Sequence, residues 1–390
     1  MKTARQSSSQ WRDLQPELLD LILERLTSLA DRVRLRAVCR PWRRGTRLES
    51  LPQPFPWSTL LDGAFLDIPG GEIHRVPLPD DANCFHGSVG NWLFVQHRGG
   101  DRLSLMNPLI SKHVLPLPDL STILGHREVM PRYADTYPLA LKLVHLSSQL
   151  DNKISPDSSY ESTVSICRAP ATATAFRDPN GERLLDVAFH DGKLYAISAR
   201  KLFVLHIDDC SDEGNKPPRV SSMEPVMNYS DDPDTKFRSF SNKRIQMCRV
   251  RTGVILLHPV ADCCTAEETR TFSFEIFEAD VNASRWRRVD TLEGQALFAG
   301  TYSSKFLPAS GCGAREDCIY FLCDYDQRHS DADPFRDCGV FNMKTEVITP
   351  LLPDTMVVRR RGCMGRPAWC EHSYTNGIYG PRFLAGQAYP

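Results

Sequence analysis

The sequence predicts an α+β multidomain chain: a small unit of three helices at the N-terminus, then a mainly antiparallel β domain. Two observations predict it. Residues 11–50 carry apolar side chains at helical spacing, and beyond Leu51 short apolar runs alternate with glycine-bearing turns. A proline-dense stretch, Leu51-Pro-Gln-Pro-Phe-Pro56, separates the two regimes.

Pro16 fits a first helical turn, where its missing N–H has no partner to lose. Asp13 lies just upstream, and Glu17 and Asp20 place negative charge at the positive end of the helix dipole. Leu18, Leu21, Ile22 and Leu26 then recur at helical spacing, with Leu19 and Leu23 widening the stripe. Ser28 is placed to cap a second helix, with Asp31 three residues on. Val33, Ala37 and Val38 form its expected apolar side, and Arg32, Arg34, Arg36 and Arg40 its solvated one. Pro41 interrupts that helix and starts a third, which carries Trp42.

About forty residues of helix cannot bury this much apolar surface internally. Even five large side chains left exposed forgo on the order of 10 kcal/mol, so a cover is expected: a partner protein or the rest of the same chain. Charge narrows the partner. Residues 1–50 hold eleven Lys and Arg against six Asp and Glu, a net of +5, and the remainder carries −6. A basic face beside an apolar one suits an acidic protein. Nucleic acid is not expected, because the whole chain is near neutral and lacks a groove-reading motif.

The order Leu14, Pro16-Glu17-Leu18-Leu19, Ile22, Arg25-Leu26, Asp31, Arg34, Val38-Cys39, Trp42-Arg43 resembles an F-box over residues 11–50. The resemblance implies a three-helix module that binds a Skp-type adaptor and, through it, a cullin ubiquitin ligase. Carried over residue by residue, Leu14, Pro16, Leu18, Leu21, Ile22, Leu26, Val38, Cys39 and Trp42 make up the adaptor-facing and core set. One departure stands out: Gln15 occupies the place of the family's usual proline, and Pro16 comes one step late.

The chain of 390 residues has room for one small and one large domain, and 41 % hydrophobic with 24 % charged residues argues against extensive disorder. No apolar run approaches a membrane span, and residues 1–10 lack the apolar core of a signal peptide. A cytoplasmic or nuclear location is therefore expected, with no membrane contact. The thirteen cysteines are read as free thiols. Cys312, Cys318, Cys323 and Cys338, and Cys363, Cys370 and His372, are weak metal candidates without a C-x-x-C pair, so no metal is assigned. Asn228-Tyr-Ser230 and Asn282-Ala-Ser284 match glycosylation acceptors, read as chance without a secretory signal.

Residues 51–56 read as a semi-stiff linker, residues 57–370 as the β domain, and residues 371–390 as a tail. Within the β domain a unit recurs: apolar strand, tight turn, second strand, polar connector. Residues 84–95 give the first, 186–197 the clearest, 245–257 a third, and 316–323 the second half of a fourth. Asp191-Gly192 is a strong two-residue hairpin signal, since both positions need positive φ. Gly192 to Gly253 spans 61 positions, Gly253 to Asp317 spans 64, and Gly90 to Gly192 spans 102. A degenerate unit therefore fits between the first two, with strands near 139–146 and 163–167. Repeated units too small to bury their own faces point to radial packing as a β-propeller, with a β-sandwich or two stacked sheets as the competing arrangement. Two acidic stretches, 208–235 and 324–337, read as solvated connections. Arg359-Arg-Arg361 is a short basic run, read as a solvated face.

Val187-Ala-Phe-His-Asp-Gly-Lys-Leu-Tyr-Ala196, then Phe274-Glu-Ile-Phe-Glu-Ala-Asp280, Trp286, Cys318-Ile-Tyr-Phe321 and Gly339-Val-Phe-Asn342, resemble plant F-box proteins with a KIB-type β-propeller. No catalytic constellation is found: no G-x-S-x-G, no phosphate-binding loop and no H-E-x-x-H. His86 and His190 lie in hairpin strands, and Asp186, Asp191, Asp262 and Asp280 at turns and strand ends, where local backbone bonding favours aspartate. The expectation is a non-catalytic receptor without cofactor, acting on a protein target that the sequence does not name. A non-ligase scaffold or inhibitory protein and a propeller enzyme are the rivals.

Overall fold

The computed structural model describes residues 11–26, 29–45, 54–59, 64–75, 78–89, 92–99, 101–107, 114–119, 144–146, 162–168, 172–177, 182, 184–190, 193–198, 201–208, 219–228, 246–249, 254–262, 270–300, 304–323, 337–352 and 369–370.

Helix α1 (Pro16–Arg25) starts where Pro16 fixes φ, and extended Gln15 offers its carbonyl to the N–H groups of Leu18 and Leu19 at 3.1 Å each. Leu19 and Leu23, one turn apart, are its buried face. Helices α2 (Leu29–Ala37) and α3 (Arg40–Gly45) follow. The Trp42 indole N–H donates to the carbonyl of Trp11 at 2.8 Å, tying α3 to the chain ahead of α1. Arg32 corrects the expected solvated arginine face: it is fully buried, and its Nε donates to the Leu26 carbonyl at 2.5 Å. The C-terminal end of α1 leaves carbonyls without helical partners, and the guanidinium satisfies one of them. Ser28, the expected cap of α2, lies outside the described residues.

Among the described residues the β domain comprises six sheets. The first contains β1 (Trp57–Thr59), β2 (Ala64–Asp67) and β3 (Glu72–Arg75). The second is the meander β4 (Ala82–Val89), β5 (Trp92–His97), β6 (Leu103–Met106) and β7 (Val114–Pro116). The third, in the interval of the expected degenerate unit, holds β8 (Val144–Leu146), β9 (Ser162–Arg168) and β10 (Thr172–Arg177). The fourth holds β11 (Leu184–His190), β12 (Lys193–Ser198), β13 (Lys201–Asp208) and β14 (Arg219–Asn228). The fifth holds β15 (Gln246–Arg249), β16 (Val254–Asp262), β17 (Arg270–Asp280) and β18 (Arg285–Arg288). The sixth contains β19 (Gln295–Gly300), β20 (Lys305–Pro308), β21 (Cys318–Cys323), β22 (Asp337–Asn342) and β23 (Val347–Thr349), with the short helix α4 (Ala309–Cys312) between β20 and β21. A last strand, β24 (Trp369–Cys370), returns to pair with β1 in the first sheet.

Apolar clusters sit between successive sheets. Trp57 and Phe65 pack with Leu93 and Val95, joining the first sheet to the second. Leu202 and Val204 pack with Phe277 and Trp286, joining the fourth to the fifth. Phe274 and Ile276 meet Ile319 and Phe341 across the fifth and sixth, and Phe298 and Tyr320 meet Ala64 and Leu66 across the sixth and first. The first, fifth and sixth sheets are thus covered on both faces by their neighbours, the signature of radial packing. That is why the strands read as continuous apolar runs: every residue of β5 is buried.

Two strand assignments depart from the sequence reading. The acidic stretch 208–235 contains β14, a ten-residue outer strand paired with β13 from Lys201–Asn228 to Asp208–Arg219. An edge strand needs one packed face only, so its polar residues hid it. In the sixth sheet β21 pairs parallel to β19, not as half of a hairpin; β20 and α4 carry the chain across. Elsewhere the hairpins hold: His190 pairs Lys193, which leaves a two-residue connection at 191–192.

Closure depends on Trp369. Its indole N–H donates to the Ala299 carbonyl on β19 at 3.0 Å, and its carbonyl accepts from Ser88 Oγ on β4 at 2.5 Å. Its ring meets Phe298 edge-on at 5.1 Å, beside Phe55. Phe55 is itself 4 % exposed, so residues 54–56 belong to the core, while 51–53 lie outside the described residues. Trp369→Ala is expected to lower unfolding free energy by about 3–5 kcal/mol in a denaturant titration, whereas Trp11→Ala, at a site 67 % exposed, should change it by less than about 0.5 kcal/mol.

Candidate functional site

On α1 the side chains of Leu18, Leu21 and Ile22 fall within about a 100° arc and are 47 %, 47 % and 36 % exposed. Leu19 and Leu23 occupy the adjacent buried arc, and Leu19 Cδ2 lies 3.8 Å from the Cβ position of Gly45 on α3. The helix is therefore apolar on two sides and packed on one. Val38, just past α2, and Trp11 are exposed as well. The remaining sequence-derived positions are accessible to different degrees. Pro16 is exposed at the head of α1; Leu14, Leu26, Cys39 and Trp42 are half-buried. Leu14 N–H donates to Trp11 O at 3.4 Å, and the Cys39 carbonyl accepts from Arg43 N–H at 3.1 Å, so both also build the turns that hold the helices together. Helical spacing finds the stripe but does not divide it into packed and open halves.

In the β domain polar groups are turned inward. His97 Nδ1 donates to Asp81 Oδ1 at 2.9 Å, and its Nε2 is hydrogen-bonded with Ser104 Oγ at 2.8 Å. The order serine–histidine–aspartate matches that of a nucleophile relay, with Ser104 2 % exposed. The set joins the start of β4, the end of β5 and β6. The hydrogen bond from His97, then that from Arg102, holds the Asp81 carboxyl below its ordinary range. Residues 81, 97 and 104 share no sequence motif; the histidines that the sequence places in hairpin strands are His86 and His190. They lie on β4 and at the end of β11.

Two further aspartates act as clasps. Asp337 on β22 accepts from the N–H of Thr271 at 3.0 Å and from its hydroxyl at 2.7 Å, joining the sixth sheet to the fifth. Asp317, at φ +54°, accepts from Leu292 N–H at 2.7 Å, Thr291 Oγ1 at 2.8 Å and Lys344 Nζ at 3.0 Å. Burial pushes its carboxyl up, but those hydrogen bonds, Lys344 first, outweigh it and hold the group below the usual carboxylate range. Asp186 and Asp280 bond the N–H groups of Val187 and Ala283, the local role aspartate has at strand ends. Asp262 ends β16, and Asp191 lies outside the described residues.

Cys312 and Cys318 are buried in the cluster around Phe55, with Cys338 packed against it; burial raises the thiol pKa of Cys312 and Cys318. Among the described residues no group of three or more His, Cys, Asp or Glu is placed to hold a metal ion. Cys363 and His372 lie outside them. No helix among the described residues is long and apolar enough to cross a membrane.

Radially packed sheets closed by a C-terminal strand define a β-propeller. The family model for the KIB1-4 beta-propeller matches residues 65–342, and the chain belongs to that family. No curated protein matches it. Among solved structures, a chain from the S. cerevisiae complex of Dbp5 with Nup159, Gle1, IP6 and ADP matches at 8 % identity, covering 63 % of this chain and 62 % of that one, with a TM-score of 0.27. A likeness that low carries no argument about fold or function.

Asp317→Asn tests the second clasp. Because the native pKa is depressed, the carboxylate stabilises the fold above its unfolded value of about 4, and that contribution is lost as pH falls through the native value. The variant should lose about 1–3 kcal/mol at pH 7, and its difference from wild type should shrink below about pH 4 when thermal midpoints are compared across pH.

Proposed function

We propose that the chain is the substrate-recognition subunit of an SCF-type ubiquitin ligase. The observation that carries this reading is the open apolar face of α1, Leu18, Leu21 and Ile22, on a basic helical unit attached to a propeller of the KIB1-4 family. The resemblance of residues 11–50 to an F-box supplies the occupant of that face, a Skp-type adaptor. The propeller presents a protein target on the loops at its rim. The chain contributes proximity rather than chemistry: it raises the effective concentration of target lysines near a conjugating enzyme held elsewhere in the complex. Action in the cytoplasm or nucleus, without cofactor or metal, goes with this reading.

A non-ligase scaffold is the second reading, favoured by Gln15 in the place of the family's proline. Adaptor affinity separates the two, since a scaffold of that kind binds none. Leu21→Asp and Ile22→Asp each put a charge on the open arc. Both are expected to abolish co-purification with a Skp adaptor while leaving the thermal midpoint unchanged, because neither side chain is buried. Retained binding by either variant rules out this docking face.

A further inference from the structure

We infer that Arg34 and Glu72 form a latch that sets the orientation of the helical unit against the propeller. Arg34 on α2 spans two acids: one guanidinium nitrogen donates to Asp31 on its own helix at 2.9 Å, the other to Glu72 at the start of β3 at 2.8 Å. Asp31 already holds the planar guanidinium in place, so engaging Glu72 costs little additional side-chain freedom.

Glu72 has a stiff support. Its strand pairs with β2 from Asp67–Glu72 to Ala64–Arg75, and His74, two residues on, stacks on Trp57 with ring centroids 4.5 Å apart. Trp57 pairs with Cys370 of β24. The latch therefore fixes the helices to the sheet in which the ring is closed, the part of the propeller held by both chain ends. Arg34 and Glu72 are 60 % and 48 % exposed. An exposed pair contributes little to fold stability, but it can change the ratio of docked to undocked helices by up to about fivefold, and salt weakens it. Its effect is on direction: it determines where the α1 face points relative to the propeller. This inference goes beyond the adaptor reading and does not depend on what α1 binds.

The test is single-molecule energy transfer in the full chain, with dyes attached through unnatural amino acids at positions 24 and 290. R34E and E72R should each lower the docked fraction, by up to about fivefold, with thermal midpoints unchanged. The swap R34E/E72R should recover most of it, and raising salt should move the wild type toward the single variants. Single substitutions that leave the distribution as it is, or a swap as open as either of them, would overturn the latch.

Discussion

The propeller rests on one insertion: the Trp369 side chain between the sixth sheet and the first. Its indole is hydrogen-bonded to Ala299, its carbonyl takes the Ser88 hydroxyl, and its strand pairs with β1. One residue near the C-terminus therefore touches the first, second and sixth sheets. Phe55 seals the same place from the N-terminal side, 5.0 Å from Phe298 and 5.3 Å from Tyr320. A ring of sheets has two open edges until its ends meet, and unpaired edges beside an apolar interior are costly. A two-residue strand serves as closure here because the aromatic contacts add what two residues of ladder cannot.

Covering a sheet on both faces has a consequence for polar chemistry. Several polar groups among the described residues serve as internal clasps. Asp337 holds Thr271 across two sheets, Asp317 gathers Leu292, Thr291 and Lys344, and His97 links Asp81 to a buried Ser104. These bonds satisfy buried donors and acceptors, and each holds loop or strand ends where radial packing needs them. Gly339 marks the same tightness: a Cβ there would meet Ile348 Cγ2 at 2.8 Å and the Phe321 ring at 3.0 Å.

The helices show the opposite economy of surface. Burying a large apolar side chain stabilises by roughly 1.5–3 kcal/mol, yet Leu18, Leu21 and Ile22 forgo much of it while Leu19 and Leu23 a residue away are sealed. The same unit buries Arg32 to satisfy the end of α1. A module that spends a buried arginine on its own core and leaves three aliphatic residues open has an interior complete without them.

Local order was legible in the sequence. Apolar spacing located the helices, Asp191-Gly192 placed a two-residue hairpin, and runs such as Trp92–Val95 and Cys318–Leu322 marked strands, because period and turn chemistry depend on neighbours a few residues apart. Long-range order was not. Nothing in the chain near residue 369 announces a partner near 88 or 299, the parallel pairing of β19 with β21 has no periodic signal, and β14 was masked by its polar edge. The candidate site divides in the same way: spacing alone selected the apolar stripe of α1, whereas only the packing of Leu19 against α3 decided which half of it stays open. Spacing fixes which residues share a side of a helix or strand, while burial depends on what the rest of the chain brings against that side.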